Sequence, residues 1–392
     1  MSTFSDIITF TRSTTGTYRS QSGLVETGAV NAPRFEYDGS GNPLGLLVEE
    51  ARTNIALQSE DMTAASKTGV TVTSNARFAP DRLGFADLLK LSTTAEAHHV
   101  SRGGNATAST KYGMSCFVRK AQGTTYLAFG GLGIGSNPPV FNIVTGAITS
   151  TGSSAWTKVE VESYNDEFYR CSAIGVATAT TPAQFILAND PSTLTTAGNG
   201  TDGAYLWGLQ IEAAANFVTS YIPTVASTIT RAADVTTVAI EDFYYRQAQG
   251  TLVVTFKPKY DATSSSFLRV AELGESATDQ GRMPFLVETA NTRLRFQAYE
   301  SSSLLWNVIL TASLPNDGAF VTGAVAYIPS SGRAAYEGSL AGSEDTTIPL
   351  TTTRNTIGIM QKANAGNTLT GHIKRFRYFP NRVSDTTLAA LT

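Results

Sequence analysis

Short stretches of alternating apolar and polar residues, separated by glycine, proline, asparagine and serine, recur along almost the whole chain. Residues 157–164 (TKVEVESY) and 250–258 (GTLVVTFKP) are typical examples, and residues 189–203 form one of the polar turn clusters between such stretches. Alternation with period two places successive side chains on opposite faces of a strand, and long stretches with helical period are almost absent. The pattern therefore predicts an all-β protein made of sandwiches or jelly rolls.

The clearest predicted strands share this alternation and are bounded by turn residues. They are 114–120, 124–131, 157–164, 168–177, 204–214, 250–258, 292–300, 318–328, 354–360 and 371–379. A short helix is predicted at the end of the chain, where Ser384 is a candidate N-cap and Leu388 and Leu391 are three residues apart.

Charge and composition exclude several classes of function. Only 16% of the residues are charged and the formal net charge is −3, which argues against a nucleic-acid partner because such binding needs clustered Lys and Arg. No apolar stretch is long enough to span a bilayer, so no membrane partner is expected. The first residues lack a basic start followed by an apolar core, so no signal peptide is predicted.

Cysteine and histidine usage offers no metal site or disulfide framework. Cys116 and Cys171 both lie on predicted strands, so buried thiols are expected, with one intramolecular disulfide as the alternative. The histidines, His98, His99 and His372, lack the spacing of zinc ligands. This usage predicts folding in a reducing cytoplasm without a metal or another cofactor.

The region 8–54 contains several distinctive elements in a fixed order. It begins with FTR (10–12), continues through a tyrosine and a glycine-led hairpin to NAPRFEYD (31–38), and ends with GLLVEEARTN (45–54). This ordered set resembles a module of structural proteins from tailed bacteriophages and related particles.

Two further stretches resemble parts of known β-sandwiches. Residues 207–234 are similar to the end of a carbohydrate-binding-module-like jelly roll, and residues 369–392 resemble the closing strand and helix of concanavalin A-like, laminin-G-type sandwiches. The length of 392 residues exceeds what one core usually serves. The predicted units are an N-terminal β-hairpin module for docking and oligomerisation (1–58), the jelly roll (59–237) and the lectin-like sandwich (238–392).

The resemblance implies a tail-fibre, tail-spike or head-fibre protein of a phage, or a head spike of a phage-like gene transfer agent. Such proteins oligomerise and bind host-surface glycans. The implied partners are host-surface polysaccharide, other virion proteins and further copies of the chain, as a trimer or pentamer. The implied location is the virion surface, after synthesis in the bacterial cytoplasm. Two alternatives to attachment without catalysis stay open: a capsule depolymerase of the glycoside hydrolase type, and a purely structural decoration or connector protein.

The acidic turn of the N-terminal region has some features of a calcium site. Asp38, Ser40 and Asn42 sit at alternate positions, but Glu49 is the only later acidic ligand at the required spacing, and the residues between are apolar. Structural calcium is therefore possible but not indicated. A tight hairpin turn is the better interpretation of DGSGN (38–42).

The residues after this turn are interpreted as a structural element that attaches one part of the protein to another. Glu49 and Glu50 point to opposite faces of a strand, with Arg34 and Arg52 as candidate salt-bridge partners. The apolar strand must be buried, either against the following jelly roll or against a neighbouring subunit. The residues predicted to serve docking or oligomerisation are Arg34, Phe35, Leu46, Leu47 and Arg52.

A possible catalytic pair lies on one predicted strand. Glu160 and Glu162 are two residues apart, which satisfies the carboxylate separation that glycoside hydrolysis needs. A half-solvated strand shows the same alternation without any catalytic role, so the pair is a weak candidate.

Sugar binding needs an aromatic face beside amide, carboxylate or guanidinium groups. The turn 164–170 (YNDEFYR) has the highest concentration of such residues, and the C-terminal sandwich offers a second set. The candidate carbohydrate-binding residues are Trp156, Tyr164, Asn165, Asp166, Tyr169, Arg170, Tyr299 and Trp306.

Overall fold

The computed structural model of the protein describes residues 8–103, 106–135, 137–260, 262, 266–274, 281–301, 303–316, 318–346, 348, 353–363 and 368–392. Residues 1–7 of the predicted N-terminal module lie outside the described residues.

The described chain consists mainly of β-strands, numbered in chain order. The first region contains β1 Ile8–Thr11, β2 Gly16–Arg19, β3 Val25–Gly28, β4 Arg34–Tyr37, β5 Pro43–Val48 and β6 Arg52–Asn54. The middle region contains β7 Ser66–Thr68, β8 Val70–Phe78, β9 Phe85–Leu91, β10 His98–Arg102, β11 Lys111–Lys120, β12 Tyr126–Gly131, β13 Pro139–Asn142, β14 Ala147–Thr151, β15 Trp156–Ser163, β16 Tyr169–Val176, β17 Ala183–Ala188, β18 Gly203–Ala213 and β19 Ile229–Arg231.

The last region contains β20 Val235–Ala239, β21 Gly250–Lys259, β22 Phe267–Gly274, β23 Met283–Glu288, β24 Arg293–Glu300, β25 Ser303–Thr311, β26 Val321–Ile328, β27 Ser331–Tyr336, β28 Ser339–Asp345, β29 Thr356–Ile359 and β30 Thr370–Phe379. The short 3₁₀ helices are Met62–Ala64, Asn165–Glu167, Ile240–Phe243 and Thr289–Asn291, and the α-helix α1 is Asp385–Ala390. Ser384 caps α1 by accepting a hydrogen bond from the Thr387 amide. The all-β fold class and the terminal helix are thus confirmed.

The middle region forms a jelly-roll-like sandwich of two antiparallel sheets. One sheet has the order β14-β13-β12-β17-β10-β7, and the other has the order β15-β16-β11-β18-β6-β19 with the β8–β9 hairpin beside β18. Their shared core includes Phe129, Phe141 and Phe185. Trp207 belongs to a separate, smaller cluster, in which it is buried against Phe117 and Tyr221.

The C-terminal region forms a second, lectin-like sandwich of two seven-stranded sheets. Their orders are β1-β20-β29-β22-β23-β24-β25 and β28-β27-β26-β21-β30-β5-β4. Phe285, Phe296 and Trp306 are at the centre of the core between them. Strands β1, β4 and β5 in these orders come from the first 48 residues of the chain.

The first region is therefore shared between the two sandwiches. Strand β1 pairs with β20, and β5 pairs with β30 through Leu46–Ile373 and Leu47–His372, whereas β6 pairs with β18 and β19 of the jelly roll. Gly45 is required where β5 meets β30, because it has a φ of +101° and an added Cβ would lie 2.3 Å from the Ile373 carbonyl oxygen.

The expected partner of the β5 strand is corrected by this pairing. The sequence predicts that β5 packs on the following jelly roll or on a neighbouring subunit, but Leu46 is buried in the core of the C-terminal sandwich. Leu47 is buried on the opposite face of the strand. Since both side chains are already covered within one chain, neither provides a free surface for oligomerisation. Among the predicted docking residues with apolar side chains, Phe35 is the exposed one, at 42%.

Candidate functional site

A buried ionic cluster joins the N-terminal region to the end of the jelly roll and to the connection that leads into the C-terminal sandwich. It consists of Arg12, Arg34, Glu49, Arg231 and Asp234, all of which belong to the sequence elements that carried the resemblance. Asp234 accepts hydrogen bonds from Arg12 at 3.0 Å and from Arg34, and Glu49 bridges Arg34 at 2.8 Å and Arg231 at 2.9 Å. Each side chain is at most 3% exposed, so three arginines share two carboxylates out of contact with water.

The predicted salt bridges are confirmed within this arrangement. Glu49 pairs with Arg34, and Glu50 pairs with Arg52 at 2.5 Å. Burial alone would raise the pKa of Glu49, but the charges of Arg231 and Arg34 and the hydrogen bonds from Ser220 hold that pKa far below its usual value. The predicted hairpin turn is also present, since the Asp38 carboxylate accepts hydrogen bonds from the amides of Ser40 and Asn42.

A cleft of about 280 Å³, termed the junction cleft, lies directly beside the cluster. Its lining residues come from the N-terminal hairpins, the jelly roll and the C-terminal sandwich. They are Thr17, Tyr18, Arg19, Val25, Glu36, Asp38, Leu44, Leu47, Glu49, Phe117, Glu160, Val161, Glu162, Tyr164, Arg170, Ser172, Val218, Thr219, Ser220, Tyr221, Lys257, Lys259, Thr370, Gly371 and His372.

The jelly-roll wall of the cleft is formed by β15 and β16. Glu162 lies opposite Arg170 in the strand register, and their side chains approach to 3.9 Å. Arg170 is buried and donates to the Thr219 carbonyl oxygen at 2.6 Å, but its Nε has no hydrogen-bond partner among the described protein atoms. The Tyr164 ring lies beneath the Arg19 guanidinium at 5.0 Å, and burial raises the pKa of its hydroxyl.

The opposite wall is formed by β21 and β30 of the C-terminal sandwich. Lys259 reaches across the cleft to Glu160 at 3.3 Å. His372 approaches Glu36 on β4 at 2.7 Å. Burial alone would raise the pKa of Glu36, but the His372 contact and the Arg19 charge lower it below its usual value. The cleft therefore presents closely matched positive and negative groups from both sandwiches.

Some predicted site residues meet in this cleft. Glu160, Glu162, Tyr164 and Arg170 line it together with Leu47, which was predicted for docking. Of the other turn residues, Asp166 forms a two-pronged ion pair with Arg77 outside the cleft.

The remaining predicted sugar-binding residues are dispersed. Trp156 and Trp306 are 4% and 2% exposed, in different cores, so the sequence-based expectation of an accessible ring is wrong for both. Tyr169 packs against the jelly-roll core. Tyr299 lies on the C-terminal sandwich, where the Arg282 guanidinium is 4.4 Å from its ring centroid.

Several cleft residues were not identified from the sequence. Arg19, Glu36, Lys257, Lys259 and His372 come from three distant stretches, and each looks like an ordinary polar position on a strand. The pairing of β5 with β30 brings these stretches together.

The described part of the chain contains no grouping of three or more His, Cys, Asp or Glu side chains that could hold a metal ion. Within the same residues, no helix has the length and apolar character needed to cross a membrane.

No protein-family model matches the chain, and no curated protein matches it. Among solved structures, the carbohydrate-binding module CBM40 of the Ruminococcus gnavus IT-sialidase, bound to α2,3-sialyllactose, is 14% identical, with a TM-score of 0.31 over 37% of this chain and 83% of that one. A heptameric SAP-like pentraxin from Limulus polyphemus is 12% identical, with a TM-score of 0.30 over 36% and 68% of the two chains. Chicken galectin 2 is 11% identical, with a TM-score of 0.24 over 33% and 89%. Each likeness is confined to about a third of this chain, and the scores are too low to support a functional conclusion.

Proposed function

We propose that the protein is a virion fibre or spike protein that binds host-surface polysaccharide in the junction cleft without cleaving it. The observation that carries the proposal is the meeting of the two sandwiches in this cleft, where the ring of Tyr164 lies beside carboxylate, ammonium and guanidinium groups from both walls. An aromatic ring with such groups around it suits a sugar, whose hydroxyls both donate and accept hydrogen bonds. The phage-like sequence module supports the virion setting.

The chemistry of the walls suits a polyhydroxylated ligand. A sugar hydroxyl both donates and accepts, so it can bond to the Glu162 carboxylate, the Lys257 ammonium group and the His372 ring. The cleft volume corresponds to a few sugar units at most, so affinity per copy is expected to be modest. A homo-oligomer, trimeric or pentameric, on the virion would multiply such contacts.

A glycan array with the purified protein tests the proposal. The wild-type protein is expected to bind a subset of surface polysaccharides, and Glu162→Gln and Lys257→Ala are expected to weaken that binding at least tenfold. Glu344→Gln, on the far β28 strand, serves as the matched charge control. Absence of binding to every glycan and to host cells would overturn the proposal.

A hydrolase is the second candidate, because Glu160 and Glu162 both line the cleft. Each carboxylate, however, already has a cation nearby, Lys259 at 3.3 Å and Arg170 at 3.9 Å. Glycoside hydrolysis needs one carboxyl group that keeps its proton and can donate it to the leaving oxygen. The arrangement favours binding over catalysis.

A further inference from the structure

A second feature lies outside the junction cleft, at the tip of the β8–β9 hairpin. Phe78 and Phe85 are paired in register there and their rings stack, with centroids 4.9 Å apart and planes 23° apart. They are 50% and 42% exposed, and Leu83 in the connecting turn is 86% exposed. Three large apolar side chains are thus adjacent in solvent, which is unfavourable unless something covers them.

The turn that carries these side chains is extensively hydrogen-bonded. The Ala79 amide donates to the Gly84 carbonyl oxygen at 3.0 Å, which closes the turn. The Asp81 carboxylate accepts the amides of Leu83 and Gly84, both at 3.0 Å. The exposed surface therefore belongs to a turn that is already ordered, and ordering it on binding costs little.

Two other turns converge on the hairpin tip. Arg82 donates to the Asn165 side-chain oxygen at 3.0 Å, and the Asn165 amide group donates to the Ser22 carbonyl oxygen at 3.0 Å. The backbone amide of Asn165 donates to the Gly23 carbonyl oxygen at 2.9 Å. Gly23 has a φ of +77°, and an added Cβ would lie 3.1 Å from the Asn165 nitrogen, so the approach depends on glycine.

The resulting surface combines an apolar face with a polar rim. Leu24, Phe78, Arg82 and Asn165 line an open depression of about 480 Å³. We name these four residues, with Leu83 and Phe85, the corner shelf. Nearby, Arg77 pairs with Asp166 at 2.9 Å and Arg119 with Glu167 at 2.7 Å. Arg82 instead donates to the neutral Asn165 side chain, so its guanidinium is the charged group of the rim.

We propose that the corner shelf binds a hexopyranose unit, as a second sugar contact separate from the junction cleft. One face of a pyranose ring is apolar and packs on an aromatic ring, while its edge hydroxyls reach planar amide and guanidinium groups. Phe78 supplies the ring, and Arg82 and Asn165 supply the rim. Asn165 directly follows Tyr164 of the cleft, so a single turn contributes to both sites.

Saturation-transfer NMR on the full chain tests the shelf directly. The probes are the methyl glycosides of glucose, galactose, mannose and N-acetylglucosamine, at millimolar concentration. At least one glycoside is expected to bind wild type and to bind at least tenfold more weakly to Phe78→Ala and Phe85→Ala. Leu83→Ser is also expected to weaken glycoside binding. Because Leu83 is almost fully exposed, this variant carries little risk of misfolding.

Phe267→Ala is the matched control, because Phe267 is 47% exposed on the C-terminal sandwich. Unchanged glycoside binding in Phe267→Ala supports the shelf proposal. A loss as large as in Phe78→Ala and Phe85→Ala overturns it. If Lys257→Ala loses glycoside binding and Phe85→Ala keeps it in full, the sugar binds in the cleft alone. That result overturns the shelf proposal but not the proposed function. Concentration-dependent self-association that disappears in Phe85→Ala makes the shelf a contact between copies of the chain and overturns the sugar assignment.

Discussion

Arg12 donates a hydrogen bond to Asp234 across 3.0 Å, and both side chains are completely buried although 222 residues separate them. The same carboxylate also receives a hydrogen bond from Arg34 and one from the Glu49 amide. The connection between the jelly roll and the C-terminal sandwich is therefore fixed to the N-terminal region by charge. The cleft lies beside this cluster, with Glu49 in its lining, so its shape depends on the cluster.

Replacing Asp234 by Asn is expected to destabilise the fold by about 3–5 kcal/mol, since it leaves the buried Arg12 and Arg34 with one carboxylate fewer. Denaturant unfolding followed by tryptophan fluorescence measures the effect. Glu167→Gln is the control, because its ion pair with Arg119 is at the surface and Glu167 is 81% exposed; a change below about 1 kcal/mol is expected there. Equal stabilities for the two variants would contradict this account of the cluster.

Stability is expected to fall in acid because of Glu49. Its pKa in the folded protein is depressed by Arg231 and Arg34 despite burial, so it lies below the unfolded value of about 4.3. A depressed pKa contributes stability that is fully present above the unfolded pKa and is lost as the pH falls through the folded pKa. The melting temperature should therefore decline below about pH 5.

Thermal melts of Glu49→Gln test this assignment. The variant is expected to be less stable at neutral pH, because Arg34 and Arg231 lose their shared carboxylate. It should also show a shallower decline in acid, since one of the responsible groups no longer titrates. Glu36, whose pKa is likewise lowered, accounts for part of the slope that remains. A variant with the wild-type slope would rule out Glu49 as a contributor.

Local features of the fold could be predicted from the sequence. Alternation within 250–258 predicted β21, which spans Gly250–Lys259, and Ser384 marked the start of α1. The Arg34–Glu49 ion pair was also predictable, because 15 residues and a single hairpin separate the partners. In each case the determining interactions lie within one or two neighbouring elements.

The tertiary pairings could not be predicted in this way. The pattern of β5 shows that one face must be buried, but nothing in PLGLLV specifies β30, more than 300 residues away, as its neighbour. For the same reason, long sequence separation, the sequence did not predict that Asp234 joins the ionic cluster or that His372 lines the cleft. Nor did it predict the corner shelf, because the aromatic pair Phe78 and Phe85 becomes a site only where the turn at Asn165 meets it.

Leu46 and Phe35 face each other in the β4–β5 register but differ in burial, at 3% and 42% exposed. Leu46→Ala is expected to cost about 2–5 kcal/mol, since it opens a cavity in the C-terminal sandwich. Phe35→Ala is the control and should change stability by roughly 0.5 kcal/mol or less. Melting temperature and size-exclusion elution are measured together. A Leu46→Ala protein with wild-type stability and a smaller assembly would restore the docking role predicted for β5.

The two thiols are expected to be unreactive in the folded protein. Cys116 and Cys171 are opposite each other on β11 and β16, both are free, and both are buried. Burial raises the pKa of each thiol, which suppresses the reactive thiolate. A chromogenic disulfide reagent at about pH 8 should modify neither residue until denaturant is added. Rapid modification of the native protein would show that the sandwich opens.

The last prediction separates attachment from depolymerisation. Wild-type protein incubated with capsular polysaccharide is expected to leave the chain length unchanged by size-exclusion chromatography, because cations already engage Glu160 and Glu162. Glu160→Gln and Glu162→Gln should then weaken the binding of the polysaccharide to the protein and leave its chain length unchanged. The control is Glu288→Gln. Glu288 and its partner Arg295 lie on β23 and β24, in the sheet of the C-terminal sandwich that does not contain β21 and β30. If wild type and Glu288→Gln shorten the polysaccharide but either cleft variant does not, the protein is a hydrolase. That result would replace the binding proposal.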